Sequence, residues 1–365
     1  MKLVYLSPLN WASFEQRPHK FVDWWQKRTG GDVLWVDPYP TRFPKFSDFK
    51  RVSMKSDGPP KDKPSWMRVL SSSTLPIEPL PGSGWANALV WRKLFRSIDQ
   101  FAKGDEVTLG VGKPTELALQ LIRRLKSADT FYDAMDDFPA FYSLLSRISM
   151  ERREDELVRN VDSIWVSSTK LKKKWEHVGS KLSFVHNGVD EFVLPKANYG
   201  ARKEKKKVFG YVGTIGQWFD WEWVVQVARL RPNDVVRLVG PMFVNKPTSL
   251  PCNVEIKPPC THAEAIEEMQ QFDVGLIPFQ NTELTESVDP IKYYEYKSIG
   301  LPVVSTCFGE MTFRSDVDGV FVCKRNEGLL EILNGALLHN VDEALTNRFR
   351  LENSWQSRFD NIGLI

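Results

Sequence analysis

At 365 residues the chain is too long for one comfortable hydrophobic core and suits two domains of ordinary size. A hydrophobic content of 42%, a charged content of 26% and a formal charge of +3 describe a soluble globular protein and exclude the strong basic excess of a duplex nucleic-acid binder. Cys252, Cys260, Cys307 and Cys323 form no CxxC pair, which fits reduced thiols in a cytosolic protein; Cys260 and His262 lie close together, but two ligands do not make a metal site.

The opening MKLVYLSPLNW has only a short apolar run before a proline, so it is neither a signal peptide nor a membrane span, and no other segment approaches twenty apolar residues. Strand-like runs then alternate with helix-like segments, the pattern of doubly wound parallel α/β sheets. Residues 2–7 read as the first strand, 16–28 as a helix and 32–37 as the second strand. Between residues 38 and 84 the order breaks into a Pro-, Ser- and Lys-rich stretch holding Phe43, Phe46, Phe49 and Trp66, with Trp85 just beyond and room for a short strand at 67–70. A stretch of that length is functional or mobile; aromatics among lysines fit lipid headgroups or a glycolipid, and packing of the rings on the domain is the alternative. Strands at 106–112, 130–136, 163–168 and 182–188 complete a first domain, 1–195. The second domain, 196–341, opens with the charged run ARKEKKK at 201–207, read as a linker. Its strands are 208–213, 235–240, 253–257, 273–279, 302–306 and 319–323, and the segment 342–365 reads as helical over 342–359 and is expected to cross back to the first domain. No repeat of solenoid or propeller period is present.

Residues 286–304, ESVDPIKYYEYKSIGLPVV, are the most informative stretch. Asp289 can cap a helix whose first position is Pro290, which places Lys292 and Glu295 at i, i+3 on one face. A helix N-terminus with a lysine beside it suits phosphate, and a glutamate one turn further in can accept two ribose hydroxyls, an arrangement that fits a nucleotide-sugar. The plain alternative is a capped amphipathic helix with a solvated ion pair. At the end of the 130–136 strand, Asp136 and Asp137 stand where open parallel sheets gather ligands. One can act as a base and the other cap the helix beginning near Pro139, and adjacent carboxylates raise each other's pKa; the alternative is that both only cap and solvate the turn. Arg17 and His19 open the first helix on the same side of the sheet, where Arg17 could bind an anionic acceptor such as a lipid diphosphate or simply line the site.

Five segments taken in order, YDAMDDFPAF (132–141), VHNGVD (185–190), GYVGTIGQWFDW (210–221), DVGLIPF (273–279) and PIKYYEYKSIGLPVVST (290–306), resemble a GT-B glycosyltransferase of the large family that includes many polysaccharide-assembling enzymes. The resemblance runs over about the whole chain. It implies two Rossmann-like doubly wound domains facing a central cleft, with the sugar nucleotide on the C-terminal domain and the acceptor on the N-terminal one. It also implies that Glu295 binds the donor ribose, that Lys292 contacts the diphosphate as in the P-x-K subgroup, and that Gly213, Thr214, Ile215 and Gly216 form the glycine turn near the phosphates. Two departures stand out. The acid expected eight residues before Glu295 is replaced by Ser287, a donor-sugar position, while Glu286 lies one place earlier. The donor loop carries Gln217, Trp218 and Asp220 where the family has cations. Both resemble the subgroup of the inverting xanthan glucuronosyltransferase.

The implied activity is transfer of a sugar from a nucleoside diphosphate donor, read as a UDP-sugar, to a glycan or lipid-linked acceptor in polysaccharide assembly. An aspartate serves as the base of an inverting reaction. No cofactor and no metal are expected, and the place is the cytoplasm, with contact at the inner face of the cell membrane left open. A nucleotide-sugar epimerase of the same fold and a non-catalytic carbohydrate-binding protein are the competing readings.

Overall fold

A computed structural model describes residues 1–41, 63–190, 194, 206–324 and 328–364. Phe43, Phe46 and Phe49, most of the 201–207 run and the 195/196 boundary lie outside the described residues. The chain divides into two compact units: the first gathers Met1–Ser167, Leu171–Val185 and the chain end from Ile362, the second Ser168–Lys170 and His186–Asn361.

The first unit is built on a parallel sheet of β1 (Lys2–Leu6), β2 (Asp32–Asp37), β3 (Met67–Ser71), β4 (Val107–Val111), β5 (Asp129–Ala134), β6 (Ser163–Val166) and β7 (Leu182–Phe184), in the order β3-β2-β1-β4-β5-β6-β7. Successive strand residues alternate between its faces. Leu3 and Tyr5 pack on one side with Phe21 and Trp25 of α1 (Arg17–Thr29), where Phe131 and Trp165 stack at 4.0 Å. Val4 and Leu6 point into the opposite core, shared with α2 (Ser83–Val90), α3 (Arg92–Ala102), α4 (Glu116–Arg124) and α5 (Leu144–Asn160) through Trp91, Ile98, Leu117 and Leu157. This split follows from handedness. The β1 to β2 connection steps one way across the sheet and those from β3 to β6 step the other way, so right-handed crossovers put α1 on one face and α2 to α5 on the other.

Past α6 (Thr169–Trp175), the second unit repeats the plan. Strands β8 (Val208–Val212), β9 (Val235–Val239), β10 (Val254–Lys257), β11 (Val274–Ile277), β12 (Val303–Thr306) and β13 (Val320–Cys323) run in the order β10-β9-β8-β11-β12-β13. One face is covered by α7 (Trp221–Leu230) and α10 (Leu329–Leu338), the other by α8 (His262–Met269) and α9 (Ile291–Ser298). The continuously apolar strands are what a sheet buried on both faces demands. The helical tail is two helices, α11 (Glu343–Glu352) and α12 (Trp355–Asp360), rather than one. The break has a use: the Asn353 carbonyl accepts from the Val189 N–H, the Trp355 N–H donates to the Val189 carbonyl, and the Ser354 hydroxyl caps α12. Both helices cluster with the second unit, where Phe349 packs on Tyr293 of α9. Among the described residues no helix is long and apolar enough to cross a membrane.

Candidate functional site

In the second unit the loops after β8, β9 and β11 and the start of α9 lie at the carboxyl ends of parallel strands, the general ligand position of such sheets. After β8, Gly213 and Ile215 donate their N–H groups to the carbonyls of Val239 and Pro241, so the turn pairs with the loop after β9. That approach needs glycine on the other side: Gly240 has φ 139°, and a Cβ there would sit 2.2 Å from the Gly213 carbonyl oxygen. Only two of the four turn N–H groups are therefore spent. Those of Thr214 and Gly216 have no acceptor among the described residues, which is the alternation expected of an extended segment with one paired edge. Trp218 folds over Gly216, where any side chain would strike its ring.

The start of α9 differs from the expected cap. Helix geometry begins at Ile291, Pro290 takes the cap position and no side chain caps the end. Asp289 is drawn inward instead. Its buried carboxylate accepts from Arg314 Nη2 at 2.6 Å, from Tyr294 Oη at 2.9 Å and from the Asn187 N–H at 2.7 Å, with His186 Nδ1 3.5 Å away. Burial alone would raise this acid, but the Arg314 guanidinium and the other donors hold it well below the usual carboxylate range. Asn187 also donates from its side chain to the Asp289 carbonyl at 2.7 Å. The NGVD segment is thus joined to the residue just before α9.

With Asp289 occupied, the N–H groups of Ile291 and Lys292 have no acceptor among the described residues. Lys292 and Glu295 form an ion pair with each other, and Glu295 is buried. Ser287, 1% exposed, has a buried hydroxyl with no hydrogen-bond partner. Glu286 does not replace it: that acid is half exposed and paired with Lys170. The second unit therefore gathers unspent donors in the β8 turn and at the α9 start, a lysine and glutamate that are each other's counter-ion, and one buried orphan hydroxyl.

In the first unit, Asp133 lies near the end of β5 and Asp136 and Asp137 follow it, and the structure separates the three. Asp133 is fully buried and accepts from Arg17 Nε at 2.9 and 3.0 Å, with the ion-paired Nη2 2.8 Å away; Arg17 Nη1 donates to the Val185 carbonyl at 2.7 Å. Asp137 pairs with Lys174 at 2.8 Å, and Lys174 also holds Glu154 at 2.7 Å, which accepts from Tyr132 Oη. Its side chain makes no cap on the 3₁₀ turn Phe138–Phe141, contrary to the capping role expected for one of the pair; Lys174 outcompetes the turn. The Asp136 carboxylate has no hydrogen bond or ion pair among the described residues. It keeps some solvent contact yet is densely surrounded, and this burial pushes it up to about 7, against the pull of Arg17 and with smaller pushes from Asp133 and Asp137. Burial, not the adjacent acid, is the main cause.

Arg17 and His19 sit in the interior. Arg17 is 2% exposed and engaged by Asp133, while the His19 ring lies between Trp11 and Trp35, with Nδ1 accepting from the Gln16 N–H at 3.3 Å. An acceptor role would therefore have to pass through the groups they hold. Sequence reasoning missed Asp133, Lys174, Glu154 and Arg314. Asp133 was within reach, since a buried arginine at a helix start needs an acid at a neighbouring strand end.

No family model matches the chain. A Bacillus subtilis (strain 168) protein assigned as a teichuronic acid biosynthesis glycosyltransferase, TuaH, is 29% identical over 210 residues, and the match spans about half of each protein, 51% of this chain and 52% of that one. Among solved structures, a sucrose-phosphate synthase from Thermosynechococcus elongatus superposes with a TM-score of 0.69 at 12% identity, over 100% of this chain and 98% of that one. An E. coli trehalose-6-phosphate structure bound with UDP-2-fluoro glucose gives 0.65 at 11% identity over 99% and 98%. The apo lipopolysaccharide outer core galactosyltransferase WaaB gives 0.63 at 12% over 99% and 98%. These likenesses extend over the whole chain and identify the GT-B fold, with its two Rossmann-like units.

Proposed function

We propose that the protein is a glycosyltransferase that moves a sugar from a UDP-sugar to a hydroxyl of a glycan or lipid-linked saccharide during polysaccharide assembly. The observation that carries this reading is the start of α9, where an uncapped helix end, Lys292 and Glu295 stand together in a GT-B donor-type unit. Lys292 and the N–H groups of residues 291, 292, 214 and 216 offset the charge of the leaving diphosphate. When Lys292 turns to phosphate, Glu295 is released to accept the two ribose hydroxyls. Ser287 supplies the hydroxyl that meets the donor sugar. Asp136, unpaired and near neutral, takes the proton of the acceptor hydroxyl as that oxygen attacks the anomeric carbon from the face opposite the diphosphate, giving inversion. The assignment of TuaH to teichuronic acid biosynthesis supports polysaccharide assembly as the setting.

A panel of nucleoside diphosphates and their sugars, screened by thermal shift, tests the donor. UDP and one UDP-sugar should raise Tm, since ligand at a hundredfold its Kd adds about 2.7 kcal/mol. Incubation of the best donor with lipid-linked and free saccharides, followed by determination of the product anomer, tests the reaction. We expect turnover to survive chelation of divalent cations. Turnover lost to EDTA and restored by Mn²⁺ would overturn the metal-free leaving group, and epimerised sugar formed without acceptor would replace transfer by epimerisation.

A further inference from the structure

The cation that the sequence suggests for an anionic acceptor, Arg17, is held by Asp133, yet the same edge of the first sheet carries another, Lys113. It stands in the short loop GKPT that leads from β4 to α4, and its neighbours fix the backbone. Gly112 donates its N–H to the Leu6 carbonyl at 2.8 Å, and a Cβ there would lie 2.5 Å from Pro8 Cδ, so the loop is pressed on the one after β1. Pro114 steers Lys113 away from helical backbone, and Thr115 caps α4 by accepting from the Ala118 N–H at 3.2 Å. The half-buried lysine side chain reaches Tyr142, with Nζ 5.8 Å from the ring centroid. Tyr142 is itself pinned, its hydroxyl 2.7 Å from that of the buried Thr41 after β2. Loops after β2, β4 and β5 therefore meet at one place, and a lysine that would ordinarily sweep through solvent is held there.

Lys113 forms no hydrogen bond or ion pair among the described residues, and the acids of this edge have other partners. Asp37 accepts from the Trp11 N–H at 2.9 Å and from Trp35 Nε1 at 3.0 Å. Asp133 is held by Arg17 and Asp137 by Lys174. Glu116, three residues after the lysine, accepts from Gln120 Nε2 at 3.2 Å and lies 3.6 Å from Arg153. Asp136 is left, and the 3₁₀ turn Phe138–Phe141, about 8 Å long, stands between it and Tyr142. Proton acceptor and cation are thus set apart by about the length of a sugar instead of being paired. A half-buried lysine on an aromatic face, with no counter-charge from its own chain, suits an anion brought by the ligand. A neutral saccharide would leave that charge unmet.

We propose that Lys113 selects the acceptor: it receives a carboxylate or phosphate of an anionic saccharide whose attacking hydroxyl lies at Asp136. The place of that hydroxyl rests on the transferase reading, whereas the anion contact needs no donor. Saturation-transfer NMR of the full-length protein with methyl glucoside, methyl glucuronoside and glucose 1-phosphate measures the preference and separates carboxylate from phosphate. At low salt the wild type should bind at least one anionic probe about tenfold or more tightly than methyl glucoside. Lys113→Gln should bring that ratio close to one, Lys113→Arg should keep most of it, and Lys113→Glu should turn it in favour of methyl glucoside. An unchanged Tm in each variant would show that the fold is intact. No binding of either anionic probe, equal binding of all three by the wild type, or a preference kept in both Lys113→Gln and Lys113→Glu would each overturn the proposal. Transfer from a UDP-sugar to neutral saccharides alone would also overturn it and leave the transferase reading standing. A Lys113-dependent preference without any thermal shift by UDP or any transfer would do the reverse, keeping the anion contact and removing the transferase reading.

Discussion

Asp136 in the first unit and Asp289 in the second both lie in loops at the carboxyl ends of parallel sheets, and their surroundings drive them in opposite directions. Burial raises both. At Asp289 a guanidinium at 2.6 Å, a tyrosine hydroxyl and a backbone N–H overcome it, and the acid stays ionised as an internal anchor for the start of α9. At Asp136 the cation that pulls on it, Arg17, is already neutralised by Asp133, so burial wins and the acid sits at about 7. A carboxylate's task follows from whether its neighbourhood supplies counter-charge: with it the group holds structure, without it the group is free to take a proton.

The largest expected effect breaks that contrast at Asp136. Asp136→Asn should lower kcat by about 10²–10⁴, the usual worth of a general base. In the wild type kcat/KM should rise with pH through about 7, because only the ionised form accepts a proton. The stability sign is the reverse. An acid whose folded pKa lies above its unfolded value binds more protons when folded, so its ionisation removes stability as pH rises from the ordinary carboxylate range to about 7. Asp136→Asn should therefore have the higher Tm at pH 8, an advantage that fades at pH 5. An equal or lower Tm at pH 8 would mean the carboxylate has a partner after all.

Asp289→Ala should act in the opposite way, lowering stability by about 3–5 kcal/mol in urea unfolding, because it strands the buried Arg314 without its acid. Asp289 stabilises the fold above the ordinary carboxylate range, and that contribution is lost only as pH falls through its depressed value. A change under 1 kcal/mol would remove Asp289 as the anchor. Glu295→Gln should weaken UDP binding by about 10- to 100-fold in calorimetry, the scale of hydrogen bonds to a charged group, and leave Tm of the free protein nearly unchanged. Smallest is Asp137→Asn, which breaks the partly exposed contact to Lys174 while Glu154 keeps that lysine. A loss of about 1 kcal/mol or less with turnover within a few-fold is expected. Turnover abolished here and kept in Asp136→Asn would exchange the two roles.

The inner strands were legible because both sheets are parallel and bury them on both faces, so they read as apolar runs such as VFGYV or VVST. The β-α alternation then gave the two-unit plan. What could not be read were partnerships set by long-range packing. Asp289 looks like a helix cap from its neighbours alone; Arg314, 25 residues on, and Asn187, 102 residues back, draw it away. Arg17 looks available at a helix start, and only the fold reveals Asp133, 116 residues later. The two aspartates after β5 were indistinguishable in sequence, since what separates them is Lys174 on another helix. Likewise the β8 turn offered four amides on paper, and the loop after β9 uses two. Local chemistry located the positions, and tertiary contacts decided which groups remain unspent.

A crystal structure of the protein with UDP is the most direct measurement. We expect Lys292 to leave Glu295 and contact the diphosphate, with both ribose hydroxyls within hydrogen-bonding distance of the Glu295 carboxylate and the phosphates near the N–H groups of residues 291 and 292. UDP bound elsewhere, or bound with the Lys292–Glu295 ion pair intact, would contradict the donor site.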